Sequence, residues 1–235
     1  GTTFNGVEAN VRIDKLTGSG ALVTGYNGAG YTAFVAGVNN GSSTFDGPIN
    51  DNGGANVGNF TKMGTGTLTL TAANGYRGTT TVSAGTLALQ NTYASNSHSI
   101  ASGAVLELNV ASGSRDYAST TFSGTGTLQK TGAGGAVWGG SAGTFSLGSG
   151  AVIDIQGGSF TGGSSANENW TANLADLNIA TGATFSGVEA NVRIDQLTGT
   201  GTLQTGYSGA GYTAFILGVD NGSALFGGTV ANTPG

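Results

Sequence analysis

Apolar and polar residues alternate in short runs along most of the chain. Leu68 and Leu70 are interleaved with Thr67, Thr69 and Thr71; Leu106, Leu108 and Val110 with Glu107 and Asn109; Ile153 and Ile155 with Asp154. A period of two predicts strands that turn one face to a core and the other to solvent. Clusters rich in Gly and Asn separate the runs and predict corners, with Asn40-Gly41 and Asn74-Gly75 suited to positive φ. The stretch Gly135 to Val137 breaks the alternation and is expected to interrupt a strand.

The runs recur. A Gly followed by Thr or Ala and then an apolar residue stands at Gly66, Gly85, Gly103, Gly126 and Gly143, in steps of 19, 18, 23 and 17 residues. Such a step, with short strands and no helical pattern, predicts a solenoid with about 18–23 residues per coil. A larger period encloses it: the segment from Thr3 to Gly47 returns from Thr184 to Gly228 with a constant offset of 181 and about three quarters of its positions identical. The expected organisation is a single continuous β-solenoid over residues 1–235, with 1–181 one full repeat and 182–235 the start of the next. One repeat would hold about eight to ten coils, each adding roughly 4.8 Å along the axis. An antiparallel sandwich would share the alternation but would explain neither the coil-length step nor the duplication. Neither end resembles a natural terminus, and no cap-like helix or charged segment is seen. The chain is therefore expected to continue covalently into further repeats or to dock end to end with other copies.

Composition narrows the function. Gly supplies 46 of the 235 residues and charged residues only 8%, yet the hydrophobic share of 37% is enough for a core, so the chain does not read as disordered. The net charge is −5 with seven scattered Lys and Arg, which leaves no cationic face for nucleic acid. No stretch approaches the length of a membrane-spanning helix, and no signal-peptide pattern is found at Gly1. Cys is absent, which excludes disulfides and thiolate metal sites.

Residues Lys62 to Asn91, KMGTGTLTLTAANGYRGTTTVSAGTLALQN, closely resemble the autotransporter-associated β-strand repeat of secreted bacterial passenger domains. The match includes Lys62 with Gly64 and Gly66, the TLTLT strand, the Asn74, Tyr76 and Gly78 turn, and the closing TTTVSAGTLAL. A degenerate second copy begins at Lys130, where KTGAG aligns with KMGTG. The resemblance implies an all-β, right-handed parallel β-helix exported from a Gram-negative cell and displayed at or released from its surface. The family's C-terminal translocator barrel is not found in these residues.

The candidate chemistry is sparse. Gly139-Gly140-Ser141-Ala142-Gly143 satisfies the G-x-S-x-G of hydrolases, but the sole histidine, His98, lies in a Ser-Asn corner and no helix follows Ser141, so a glycine-rich corner is the better reading. Arg12 with Asp14, and Arg193 with Asp195, share the outer face of a strand and are expected to form surface ion pairs; Glu8 and Glu189 are alternative partners for the arginines. Asp46, Asn50, Asp51 and Asn52 form a local oxygen-rich cluster that reads as a solvated loop. Tyr26, Tyr31 and Phe34 recur as Tyr207, Tyr212 and Phe215, while Trp138 and Trp170 occur once; these rings are expected to stack inside the solenoid or cover its core, with sugar stacking as the other use. No catalytic, cofactor-binding or metal-binding residue is assigned. The expected function is that of a non-catalytic structural repeat of a secreted surface protein, forming a rod, stalk or filament with further copies of itself. An adhesin recognising glycans or host surfaces through aromatic and Thr/Asn ladders is the alternative. A polysaccharide lyase or hydrolase comes last, because it needs at least three carboxylates converging in one groove.

Overall fold

The computed structural model describes residues 1–6, 11–24, 33–53, 57–95, 97–117, 119–138, 143–162, 169–187, 191–205 and 215–232. Every regular element among them is a β-strand of three to five residues. No helix among the described residues is long and apolar enough to cross a membrane. Backbone contacts divide the chain into two compact units, Gly1–Glu107 and Leu108–Gly235.

In the first unit, successive strands enter different sheets, and each sheet is joined by the strand one coil later. One sheet runs Thr3–Asn5, Ala21–Thr24, Ile49–Asp51. A second runs Val11–Ile13, Ala33–Ala36, Asn59–Lys62, Thr79–Val82, Ser97–Ile100. A third contains Ser43–Phe45, Thr67–Leu70 and Thr86–Leu89. The pairings are parallel and place like residues opposite one another: Leu68 faces Leu87, Phe34 faces Phe60, and Thr61 faces Thr81. This is the parallel β-solenoid that the alternation and the coil-length step predict. Hydrogen bonds run from coil to coil, so the backbone of one turn is satisfied by the next.

The second unit repeats the scheme. Thr127–Thr131, Val152–Ile155, Asp176–Ile179 and Leu197–Gly199 form one parallel sheet. Ser114–Asp116, Gly135–Val137, Ser159–Thr161, Thr184–Ser186, Thr202–Thr205 and Thr229–Asn232 form another. Coil lengths include the expected range and extend beyond it: Thr79 faces Ser97, 18 residues on, but Thr202 faces Thr229, 27 residues on.

The predicted strand faces are borne out. Leu68, Leu70, Leu106, Ile153 and Ile155 are buried, and the Thr and Asp residues between them face outward. Burying such a side chain contributes about 1.5–3 kcal/mol. Gly135–Val137 is a strand rather than a break. Its small residues leave room for Trp138, whose ring lies 4.6 Å from Phe160 and is fully buried. Asn40 adopts the expected positive φ of 65°. Asn74 does not, because its side chain is turned inward: Oδ1 accepts from Ile49 N and Nδ2 donates to Ala72 O.

Rings fill both interiors. In the first unit Phe34 stacks on Phe60 at 6.1 Å, and Phe60 meets Tyr76 at 5.9 Å. In the second, Phe145 lies 5.5 Å from Phe122, 5.3 Å from Trp138 and 4.0 Å from Trp170, while Phe160 stacks on Phe185 at 5.6 Å. The two tryptophans and Phe34 thus sit inside, as expected. Phe215 is only half-buried. Tyr26, Tyr31, Tyr207 and Tyr212 lie outside the described residues.

Candidate functional site

The polar groups most tightly built into this chain are fastenings between coils. Within Asn59–Lys62 the alternation turns Phe60 and Lys62 inward. Lys62 is fully buried, its stem in ladder register between Ala36 and Val82. Its ammonium donates to the carbonyls of Met63 at 2.7 Å, Gly64 at 2.8 Å and Ala84 at 3.2 Å. The first two belong to its own turn and the third to the turn one coil later, so one side chain closes a corner and ties it to its neighbour. Gly64 sits at φ +66°, where a side chain would strain the turn.

Lys130 does the same in the second unit. It is fully buried beside Ile155 and donates to Thr131 O at 2.7 Å, Gly132 O at 2.9 Å and Gly157 O at 3.0 Å. Gly132 takes the place of Gly64 at φ +79°. Burial pulls the Lys130 ammonium down to about 8, which still leaves it charged at neutral pH; the same cause lowers Lys62. Three carbonyl acceptors are what make a buried ammonium tolerable.

The remaining signature residues of the thirty-residue motif have comparable tasks. Tyr76 Oη and Thr80 Oγ1 are 2.7 Å apart, Thr80 donates to Ser95 Oγ at 3.1 Å, and Ser95 donates to Gly78 O at 2.6 Å. Burial pushes the Tyr76 hydroxyl up to about 12, against the opposing pull of its bond to Thr80. A Cβ on Gly78 would run into Gly58 O, so a bare backbone is required where these coils touch. On the surface, Arg77 grips Asp51 with two bonds, Nε to Oδ2 at 2.7 Å and Nη2 to Oδ1 at 3.1 Å. Burial works to raise the Asp51 carboxyl, but the bonds from Arg77 and Gly53 outweigh it and hold the group low.

Asp14 corrects the expected ion pair with Arg12. Its Oδ1 accepts from Asn39 N and Gly41 N, both at 2.9 Å, closing the turn of the next coil. Asp195 repeats this with Asp220 N at 2.8 Å and Gly222 N at 2.9 Å. Two fixed amides suit a carboxylate better than a long side chain that must be ordered first. Arg12 instead reaches Met63 Sδ at 3.7 Å. Glu8 and Glu189 lie outside the described residues. The oxygen-rich loop is also committed: Asp46 accepts from Thr71, and Asp51 holds Arg77.

An outer ladder runs over the second unit. Asp154 accepts from Gln129 at 2.9 Å, Gln156 at 2.7 Å and Asn178 at 2.7 Å, and Thr198 donates to Asn178 Oδ1 at 3.2 Å. Gln129, Asp154, Asn178 and Thr198 share one register position on successive strands.

Catalytic chemistry finds less support. His98 is not in a corner but in the strand Ser97–Ile100, pointing inward against Tyr93 at 4.5 Å. Burial drives its imidazole down to about 3, so it is neutral at physiological pH. Ser141 lies outside the described residues. Asp176, Asp195 and Asp220 come into electrostatic reach of one another, and burial together with the other two acids raises the Asp176 carboxyl. Yet Asp176 accepts from Gln196 N at 3.1 Å, and Asp195 is occupied by its turn. Among the described residues no group of three or more His, Cys, Asp or Glu is placed to hold a metal ion.

The hydrophobic pattern alone gives Lys62 and Lys130 no task. The signal was available in their parity, which aligns Lys62 with Phe60 and Lys130 with Leu128 on the inward face.

Parallel coils, inward ladders and turn-closing side chains define a parallel β-solenoid protein. Residues 60–89 match the family model described as passenger-associated-transport-repeat, which bears out the resemblance read from Lys62 to Asn91. The chain therefore carries a passenger-type repeat on a β-solenoid. Neither the curated proteins nor the solved structures compared contain a match.

Proposed function

We propose that this chain is a non-catalytic structural segment of a secreted bacterial surface protein. In this reading it contributes one full repeat and the start of the next to an extracellular rod, stalk or filament. The observation that carries the proposal is the use made of its polar residues. Lys62, Lys130, Asp14, Asp195 and the Tyr76–Thr80–Ser95 chain are all spent on joining coil to coil or closing a corner. The passenger-type match at residues 60–89 supports export and display at the surface of a Gram-negative cell. Length and stiffness, rather than turnover, are then the selected properties.

Electron microscopy of the native material tests this reading. Elongated particles with an axial spacing near one repeat are expected; compact, isolated particles would count against it. The alternative is an adhesin, favoured by the outer ladder from Gln129 to Thr198, which offers aligned polar groups to a glycan. It predicts saturable binding on a glycan array that is lost on replacing the ladder residues Gln129 and Thr198, or the recurring Tyr26 and Tyr207, whereas a blank array leaves the structural role alone.

A further inference from the structure

An asparagine followed by glycine can react with its own backbone. The glycine nitrogen gives up its proton and attacks the asparagine side-chain carbonyl carbon. Ammonia leaves, and water opens the resulting ring to aspartate or isoaspartate. A fold slows the reaction by holding the glycine N–H in a hydrogen bond and by fixing the asparagine side chain, so its rate follows how readily those bonds open.

Six Asn-Gly pairs occur in the sequence, and five of them lie within the described residues. In four of the five the glycine amide is tied to a distant part of the chain. Gly41 N donates to Asp14 Oδ1 at 2.9 Å, and its counterpart Gly222 N donates to Asp195 Oδ1 at 2.9 Å, each across 27 residues. Gly75 N donates to Ile49 O at 2.7 Å, and Gly6 N to Val23 O at 3.0 Å. Two of the asparagines are fixed as well. Asn40 Oδ1 accepts from Thr65 N at 2.9 Å, and the Asn74 side chain is bonded through both its oxygen and its nitrogen. Such bonds open only when one coil parts from another.

Asn52-Gly53 differs from these. Gly53 N donates to Asp51 Oδ1 at 2.9 Å, two residues back in the same loop. Asn52 and Gly53 are both exposed, and no bond to the Asn52 side chain is found among the described residues. Gly53 has φ +73°, and a Cβ placed on it would meet nothing, so there is room for the ring to close. Fraying of this one loop frees the nucleophile while every coil-to-coil bond stays in place.

We propose that Asn52 is a site of spontaneous deamidation, with water as the co-reactant, and that the other described Asn-Gly pairs are shielded from the same reaction by their coil-to-coil bonds. The reaction places a carboxylate beside Asp51. In isoaspartate it also lengthens the backbone by a carbon just after the strand Ile49–Asp51. Asp14 and Asp195 then have a second task, the chemical preservation of the corners they close. None of this depends on the rod reading.

The test is peptide mass spectrometry of the full chain after storage in mildly alkaline buffer, folded and in urea, reading the exchange of NH2 for OH at each asparagine. In urea the Asn-Gly pairs should react at similar rates. In the folded chain Asn52 should react at least about tenfold faster than Asn40 and Asn74, and Asn52→Ser should remove the fast product. Asp14→Ala should speed the reaction of Asn40 about tenfold, the worth of one bond to a charged acceptor, while Asp14→Asn, which keeps an acceptor oxygen, should speed it less. Asn74 marks folding in both variants, since its continued protection shows that the coils remain together. Equal rates at Asn52 and Asn40 in the folded parent chain would overturn the proposal, as would an Asn52 that reacts in urea but not in the fold. An Asn40 indifferent to Asp14→Ala would overturn the shielding by Asp14.

Discussion

His98 shows how a single position acquires its property from the ladder it joins. It occupies the same inward register as Phe60 and Thr80, and its ring packs on Tyr93. Burial lowers its pKa from 6.5 to about 3. The unfolded chain therefore takes up a proton that the folded chain refuses. Stability is unaffected above pH 6.5 and declines as pH falls from there toward 3. The slope approaches 1.4 kcal/mol per pH unit, with an upper limit of about 5 kcal/mol. His98→Phe keeps a ring in the stack and removes the titration. Urea unfolding between pH 7 and pH 4 should show a shallower loss of stability in the variant than in the parent; parallel slopes would mean that His98 is not held neutral.

At the scale of an element, the question is which fastening holds a coil to the next. Arg77–Asp51 is the more conspicuous pair, but the arginine side chain is 44% exposed, and solvent screens such a pair to little net worth. Lys62 is buried, and removing its ammonium leaves three carbonyls without their donor. Lys62→Met is expected to cost about 3 kcal/mol, whereas Arg77→Ala should leave the denaturant midpoint nearly unchanged. Equal costs would reject the ranking. The same contrast explains what could be read from the sequence. Strands such as Thr67–Leu70 and Val152–Ile155 were legible because leucine and isoleucine announce the inward face. Lys62, Thr80 and His98 share that face but are polar, and a rule that sends polar residues outward misplaces them. Their burial depends on partners that the alternation does not announce: carbonyls of its own turn and of the next coil for Lys62, Ser95 and Tyr76 for Thr80, Tyr93 for His98. Asp14 was misjudged for a related reason, since the amides of Asn39 and Gly41 that occupy it lie 25 and 27 residues away. Coil-length periodicity shows that two segments are neighbours but not which of their polar groups meet.

For the molecule as a whole, the duplication provides an internal control, because one sequence is seen in two settings. Ile49 is fully buried in the first unit, where Asn74 and Tyr76 cover it, while its counterpart Val230 is 61% exposed in the second. Val35 and Ala36 are buried, and their counterparts Ile216 and Leu217 are exposed. The apolar character of these positions is therefore a property of the repeat, and its energetic value depends on whether another coil lies on top. In a solenoid, stability is close to a sum of coil terms and nearest-neighbour terms, so a position contributes through its neighbour or hardly at all. Ile49→Asp should destabilise the chain by at least about 3 kcal/mol, since it buries a carboxylate among apolar groups. Val230→Asp in dilute solution should change stability by no more than about 0.5 kcal/mol. The two costs should converge only where Val230 becomes covered. Repeating the urea titrations at rising protein concentration makes that visible: a growing penalty for Val230→Asp, with the Ile49→Asp penalty constant, would report coil-on-coil assembly between copies. A Val230 penalty that is small at every concentration would show that copies of this chain do not stack through that face in solution.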